Sequence, residues 1–324
     1  MTRTKMESKL PSTGTTIFAI MGALAEECKA INLSQGFPSF NPNQELLNLV
    51  KKHLNDGANQ YAPLPGIELL REAIAKKIQM LYGRHVDMHQ EVTVCDGATE
   101  GIFSAIQAIV HPGNEVIVFD PAYDSYEPSI ALAGGKTIHI PLIMSSEKPD
   151  FHIDWQRFQD TINKRTRLVI LNFPHNPTGV VLSEDDLLRL AEIIRGTNVY
   201  LISDDVYEHI VFDGVLHESL LKHDELWERT FVISSFGKTY HATGWKVGYC
   251  VAPPSLTMEF RKIHQWVCYS VVTPIQHAIA DYMALNPEHY AELPLFYEQK
   301  RNNFCDLMRN SRFSYKPAQG TFFQ

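Results

Sequence analysis

Apolar positions along the chain gather into short unbroken runs, set apart by longer stretches in which apolar and polar residues mix. The runs begin at Val92 and continue with Val116 to Phe119, Leu168 to Phe173, Val199 to Ser203, Thr230 to Ser234 and Val247 to Val251. All are rich in β-branched and aromatic residues. Such runs predict strands buried on both faces. The stretches between them, Glu184 to Ile194 for example, predict helices. This alternation predicts an α/β fold, with a mostly parallel sheet covered by helices on both faces. Ligands in such a sheet belong at the carboxyl ends of the strands.

Those ends carry the candidate chemistry. The run from Val92 turns through Asp96, Gly97, Ala98 and Thr99 into a helix continuing through Ala105, Ile106, Ala108 and Ile109. A helix start offers unpaired amide N–H groups and a positive dipole end to an anion. Gly97 and Ala98 leave the backbone approachable, and Thr99 adds a hydroxyl. The spacing is neither that of a P-loop nor that of a dinucleotide fingerprint. The second end is Asn172-Phe173-Pro174-His175-Asn176-Pro177-Thr178-Gly179, where Pro177 restricts Asn176 to an extended form with its amide over the strand end. The third is Ser203-Asp204-Asp205-Val206-Tyr207, where a carboxylate is placed to pair with a protonated ring nitrogen. Each motif also has an ordinary reading: a strand-to-helix turn, an Asn-Pro turn and a helix cap.

Lys238 stands on a short polar loop, Ser234 to Gly248, between two apolar strands. A free lysine is almost wholly charged at neutral pH, so covalent chemistry with a carbonyl requires burial or a second cation to lower its pKa. Lys246, flanked by Gly244 and Gly248, is a candidate for that cation. Ser235-Phe236-Gly237-Lys238 also fits the S-x-x-K pattern of penicillin-recognising enzymes, but the companion S-D-N and K-T-G elements are missing from the sequence.

The order and spacing of these motifs resemble the fold type I, pyridoxal-phosphate-dependent class I/II aminotransferases. Within them the chain is similar to the branch of kynurenine/glutamine and bacterial methionine aminotransferases, whose lysine loop shares the pattern G-K-T-x-x-x-T-G-W-K-V-G. The likeness runs from about Leu33 to the last residue. It implies that Lys238 links covalently to the cofactor and then moves a proton at the substrate α-carbon. It further implies that Asp204 keeps the pyridine nitrogen protonated, and that Asn176 and Tyr207 bind the ring hydroxyl oxygen. Ala98, Thr99, Ser235 and Lys246 would hold the phosphate, and Tyr123 would stack on the ring. Gly36, in Ser34-Gln35-Gly36-Phe37-Pro38, and Asn176 would face the substrate. Tyr61 would reach the neighbouring subunit's phosphate, and Tyr269 and Ser270 the partner's pocket, so the resemblance implies a homodimer with shared sites. Most of the wider superfamily has arginine where Lys246 stands. Arginine grips phosphate bidentately and lysine acts as a point charge, which narrows the likeness to this branch.

The implied organisation is an N-terminal segment, 1–45, packing with a small lobe; a large cofactor-binding domain, 46–285; and the start of a small C-terminal domain, 286–324. The last residues, Pro317 to Gln324, read as a lone apolar strand, an aggregation hazard if unpaired. The family continues beyond this point, and there carries the arginine that pairs with the substrate carboxylate. The chain therefore reads as an incomplete product. The activity implied is transfer of an amino group from methionine, glutamine or an aromatic amino acid to a 2-oxo acid. Alternatives are a carbon–sulfur β-lyase on the same cofactor, and a non-catalytic cofactor-binding remnant.

Composition bounds the rest. With 324 residues, 44% hydrophobic, the chain is long enough for a large α/β core and a smaller lobe. A net charge of -8 without charged blocks excludes nucleic acid as an expected partner. No apolar run is long enough for a membrane helix, and the amino terminus lacks the apolar core of a secretory signal. Five scattered cysteines with no C-x-x-C pair predict neither disulfides nor zinc and fit a reducing cytoplasm. The fourteen histidines show no ligand spacing, and no metal role is expected; His175, His241 and His264 read as polar residues of loops or helices.

Overall fold

The computed structural model describes residues 6–144 and 150–324. Its seven strands are β1 (Val92–Cys95), β2 (Glu115–Asp120), β3 (Lys136–Pro141), β4 (Thr166–Leu171), β5 (Tyr200–Asp204), β6 (Thr230–Ser235) and β7 (Gly248–Val251). They form one sheet in the order β1-β7-β6-β5-β4-β2-β3. The pairings from β6 through β5, β4 and β2 to β3 are parallel, whereas β7 runs antiparallel to both β1 and β6. The sheet is thus mixed, with a parallel majority.

The helices, in order, are α1 (Ile17–Glu27), α2 (Gln44–Asn55), α3 (Glu68–Tyr82), α4 (Gly97–Ile109), α5 (Tyr126–Leu132), α6 (Trp155–Thr161), α7 (Glu184–Ile194), α8 (Asp224–Trp227), α9 (Phe236–Thr239), α10 (Pro254–Val267), α11 (Thr273–Leu285) and α12 (His289–Met308). The predicted helix at Glu184 to Ile194 is found with those bounds. It is fixed by a capping box in which Ser183 and Asp186 exchange side-chain and backbone hydrogen bonds.

Side chains alternate across the sheet as strand geometry requires. On one face Ile170, Ile202, Phe231 and Ile233 pack against Ile102 and Ile106 of α4 and Phe260 of α10. On the other, Val169, Leu171 and Leu201 meet α6 and α7, while Val232, Tyr249 and Val251 meet Ile74 and Ile78 of α3. Continuous hydrophobicity in the central strands follows from this double burial.

Three expectations change. The edge strand β3 escapes hydrophobic reading because four of its first five residues, Lys136 to His139, are exposed or half-buried, as an edge that resists pairing with other chains requires. Lys238 lies on the single-turn helix α9, held by Tyr240 N–H donating to the Phe236 carbonyl at 2.8 Å, and not on an irregular loop. Residues 317–324 do not form a free strand. Phe212 N–H donates to Gln319 O at 2.9 Å and Thr321 N–H to Ile210 O at 2.8 Å, a single antiparallel bridge. A Cβ at Gly320 would stand 2.7 Å from the Ile210 carbonyl, so only glycine permits this approach.

Candidate active site

The carboxyl ends of β4, β5 and β6 and the start of α4 surround a cavity of about 200 Å³. Asp204 closes β5 and is 3% exposed. Its Oδ2 accepts from the Tyr126 hydroxyl at 2.5 Å, and its Oδ1 has no hydrogen-bond partner among the described residues. Burial pushes this carboxyl up to about 6, against the Tyr126 hydrogen bond. A buried acceptor without a donor is costly in a low-dielectric site. A cation or N–H group at that oxygen would remove the cost.

Lys238 faces the same cavity. Its Nζ donates to the Gly36 carbonyl at 3.2 Å and lies 5.3 Å and 5.4 Å from the ring centres of Tyr207 and Phe322. Burial lowers its pKa to about 8, with Asp204 opposing the shift and Lys246 adding to it. The neutral, nucleophilic amine is therefore accessible near physiological pH. Lys246 plays the part of second cation expected from sequence, though burial is the larger cause.

At the other end of the cavity, Gly97 begins α4 with φ +70°. A Cβ there would stand 3.1 Å from the Lys246 Nζ, so the lysine amine rests against the helix start. Lys246 itself is left-handed, φ 53° and ψ 50°, the turn that folds it back under α4. Ala98, Thr99 and Ser235 line the same end. Amide donors, two hydroxyls and an ammonium group are the chemistry an anion would meet at this end.

Tyr123 lines the cavity, half-buried, and burial raises its phenol above the ordinary value. Tyr207, 2% exposed, has its phenol pushed upward by burial and by Asp204. Asn176 lines the cavity, and its peptide to Pro177 is cis. Gly36 touches Lys238 and also Phe323, whose ring would lie 2.7 Å from an added Cβ. Tyr61 stands apart. It is 81% exposed and packs edge-on against Tyr269, ring centres 5.5 Å apart.

Two residues were not singled out from sequence. Asn172 donates its amide to the Asp204 carbonyl at 3.1 Å and accepts from Asn176 N–H at 3.0 Å, tying two strand ends together. An asparagine closing an apolar run was the available signal. Tyr126, the partner of Asp204, begins α5, and nothing local to it announces the role. In the first turn of α4, Glu100 meets His264 and Cys268 from the end of α10, with possible ligand atoms within 4.8 Å of one another, a grouping their spacing in sequence does not suggest. Both ring nitrogens of the buried His264 already have partners, Nδ1 the Glu100 carboxylate at 3.0 Å and Nε2 the Leu64 carbonyl at 3.2 Å. This link joins α10 to α4. All five cysteines are free.

Comparison with known proteins places this geometry. A family model for aminotransferase class I and II matches residues 29–324. The methionine aminotransferase of Escherichia coli K12 is 51% identical over 317 residues, covering 98% of this chain and 81% of the relative. The kynurenine–oxoglutarate transaminase of Dictyostelium discoideum is 35% identical over 342 residues, covering 100% and 78%. A crystal structure of the Escherichia coli methionine aminotransferase superposes with a TM-score of 0.93 at 49% identity, covering 98% of this chain and 82% of that one. The structure of N-succinyldiaminopimelate aminotransferase from Mycobacterium tuberculosis superposes equally well at 37% identity, with the same coverage. A mixed sheet with helices on both faces, a family model matched over residues 29–324 and 51% identity along nearly the whole chain lead to one conclusion: the protein belongs to the class I and II aminotransferases and is an aminotransferase.

Proposed function

We propose that the cavity holds pyridoxal 5'-phosphate and that the protein moves an amino group from methionine, or from an aromatic amino acid or glutamine, to a 2-oxo acid. Enzymes of this class use pyridoxal phosphate. The observation that carries the reading is the convergence of three groups on one cavity: the Asp204 carboxylate with an unpartnered oxygen, the Lys238 amine with its pKa lowered to about 8, and the α4 start beside Lys246. These fit a ring nitrogen, an aldehyde and a phosphate respectively.

When bound, the protonated pyridine ring withdraws electrons from the substrate α-carbon and so makes its proton removable. The chain's own residues do the rest. Asp204 holds the ring nitrogen's proton through a charge-assisted hydrogen bond, worth about 1.5–3 kcal/mol. Lys238 would anchor the cofactor covalently and, once the substrate's amino group has displaced it, would as a neutral amine take and return the α-proton. Asn176 and Tyr207 hold the ring hydroxyl oxygen, and Tyr123 packs against the ring. Ala98, Thr99, Ser235 and Lys246 hold the phosphate, and Gly36 and Asn176 face the substrate. Methionine as donor is supported by the 51% identity to the Escherichia coli enzyme. Glutamine and aromatic donors rest on the likeness to the kynurenine branch.

The same reading makes the protein a homodimer in which Tyr61 serves the neighbouring site. Its support is the exposure of Tyr61, Trp266 and Tyr269, which are 81%, 83% and 59% exposed. A segment 1–45, a large domain 46–285 and a smaller part from 286 remain the proposed organisation. Among the described residues no helix is long and apolar enough to cross a membrane. The unpaired cysteines accord with a cytoplasmic enzyme.

The test is direct. The protein is incubated with pyridoxal phosphate, reduced with borohydride and digested; the cofactor mass should sit on the peptide containing Lys238. Half-reactions with a panel of amino acids, followed by absorbance, then rank the donors. Modification elsewhere, or no spectral response to any donor, defeats the reading.

A further inference from the structure

Behind the cavity lies a second buried polar cluster that the mechanism above does not use. Adjacent residues on a strand point to opposite faces, so Ser234 and Tyr249, register partners on β6 and β7, face away from the side that Ser235 shares with the cavity. Both meet one carboxylate, Glu208. Its Oε1 accepts from the Ser234 hydroxyl at 2.5 Å, from the Tyr249 hydroxyl at 3.1 Å and from the Lys77 ammonium of α3 at 2.6 Å. Its Oε2 accepts from the Tyr82 hydroxyl at 2.5 Å, and Lys77 also donates to Tyr249 at 2.6 Å. The side chains of Lys77 and Glu208 are 4% and 3% exposed. His209 stands 3.5 Å from the same Oε1, its Nε2 without a hydrogen-bond partner, and burial keeps it neutral.

An ion pair this deep is not an efficient source of stability, because desolvation offsets most of its attraction and an apolar pair often serves as well. Its placement is informative. Glu208 follows Tyr207, Ser234 precedes Ser235, and Tyr249 follows Gly248, where an added Cβ would stand 3.0 Å from the Ala98 amide nitrogen. One carboxylate therefore joins, from the reverse side of the sheet, the three segments that carry the ring-hydroxyl and phosphate groups of the proposed cofactor site. We propose that Glu208, with Lys77 and Ser234, is a positioning group for the cofactor, fixing Tyr207 and Ser235 relative to the start of α4. This rests on the cofactor reading given above.

The experiment compares wild type with Ser234→Ala, Glu208→Gln and the apolar double variant Lys77→Met/Glu208→Met. Folding is followed by thermal melting, pyridoxal phosphate affinity by titration of the cofactor-free protein, and the bound cofactor by the pH at which its absorbance changes. Wild type must first bind the cofactor at Lys238; should it not, the cofactor reading fails and this proposal falls with it, before any variant is compared. Loss of a charge-assisted hydrogen bond predicts affinity about tenfold or more weaker in Glu208→Gln, and a smaller loss in Ser234→Ala. Both should displace the absorbance midpoint. The double variant should melt close to wild type yet not regain affinity. If it binds cofactor with wild-type affinity and absorbance midpoint, the cluster only fills the core and the proposal is overturned. If the double variant does not fold, Ser234→Ala decides, and unchanged affinity and spectrum overturn the proposal equally.

Discussion

Two buried carboxylates, Asp204 at the end of β5 and Glu208 in the turn that follows, are treated in opposite ways. Glu208 has donors on both oxygens; burial alone would raise its pKa, but Lys77 and the surrounding hydroxyls hold it well below the usual carboxylate range. Asp204 has a single side-chain donor, Tyr126, and burial raises it to about 6. One acid is saturated by its own chain, and the other is left wanting a cation. On the proposals above, that asymmetry separates a group that builds the site from a group that works in it. A satisfied carboxylate has nothing left to offer a ligand, whereas an unsatisfied one gains most when a protonated ring arrives.

The largest test removes the amine that faces the unsatisfied acid. Lys238→Ala should abolish borohydride-fixed cofactor and lower the transamination rate by about 10³-fold or more, measured in single-turnover half-reactions. Retention of fixed cofactor would assign the anchor elsewhere.

Asp204→Asn sharpens the contrast itself. Turnover should fall by about 10²-fold, on the order of one charge-assisted contact. The cofactor-free variant should nevertheless melt about 2–4 °C above wild type at pH 8. Because the folded pKa lies above the unfolded one, the cost of ionising Asp204 is absent below about pH 4, grows as pH rises toward 6 and is complete above it. The melting difference should therefore vanish at pH 4. An equal difference at both pH values would show that charge is not its cause.

Tyr126→Phe should have a milder effect, about fivefold on turnover, because it removes one hydrogen bond from an acid that then rises further above its ordinary value. The acid limb of the pH profile should move upward with it. Smallest of all is the pH dependence of cofactor capture. Lys238 has a folded pKa lowered to about 8, so the rate of uptake by cofactor-free protein should climb through pH 8 and level above it. A profile still rising at pH 10 would place the amine in an ordinary solvent environment.

Much of this was legible in the residues. Central strands announce themselves by runs such as Leu168 to Leu171, in which burial on both faces leaves no polar position. The strand-end groups Asp204, Lys238 and Gly97 are readable because a parallel sheet gathers its carboxyl ends at one side. Strand β3 was hidden by the polar character that an edge needs. The reversal of β7 was hidden because direction in a sheet is set by where the following helices pack, and no single run encodes it. Tyr126, Asn172 and Glu208 were hidden for a different reason: each acts on a residue supplied by another segment. A hydrogen bond across the fold has no spacing.

Ser235 and Gly248 are register partners, and next to them Phe236 N–H donates to Val247 O at 3.1 Å, so the stretch between them leaves the sheet and returns to the same place. Lys238 and Lys246 both ride on that closed excursion. The spacing of the two amines is therefore set within one excursion whose ends are already joined, apart from the strands that carry it.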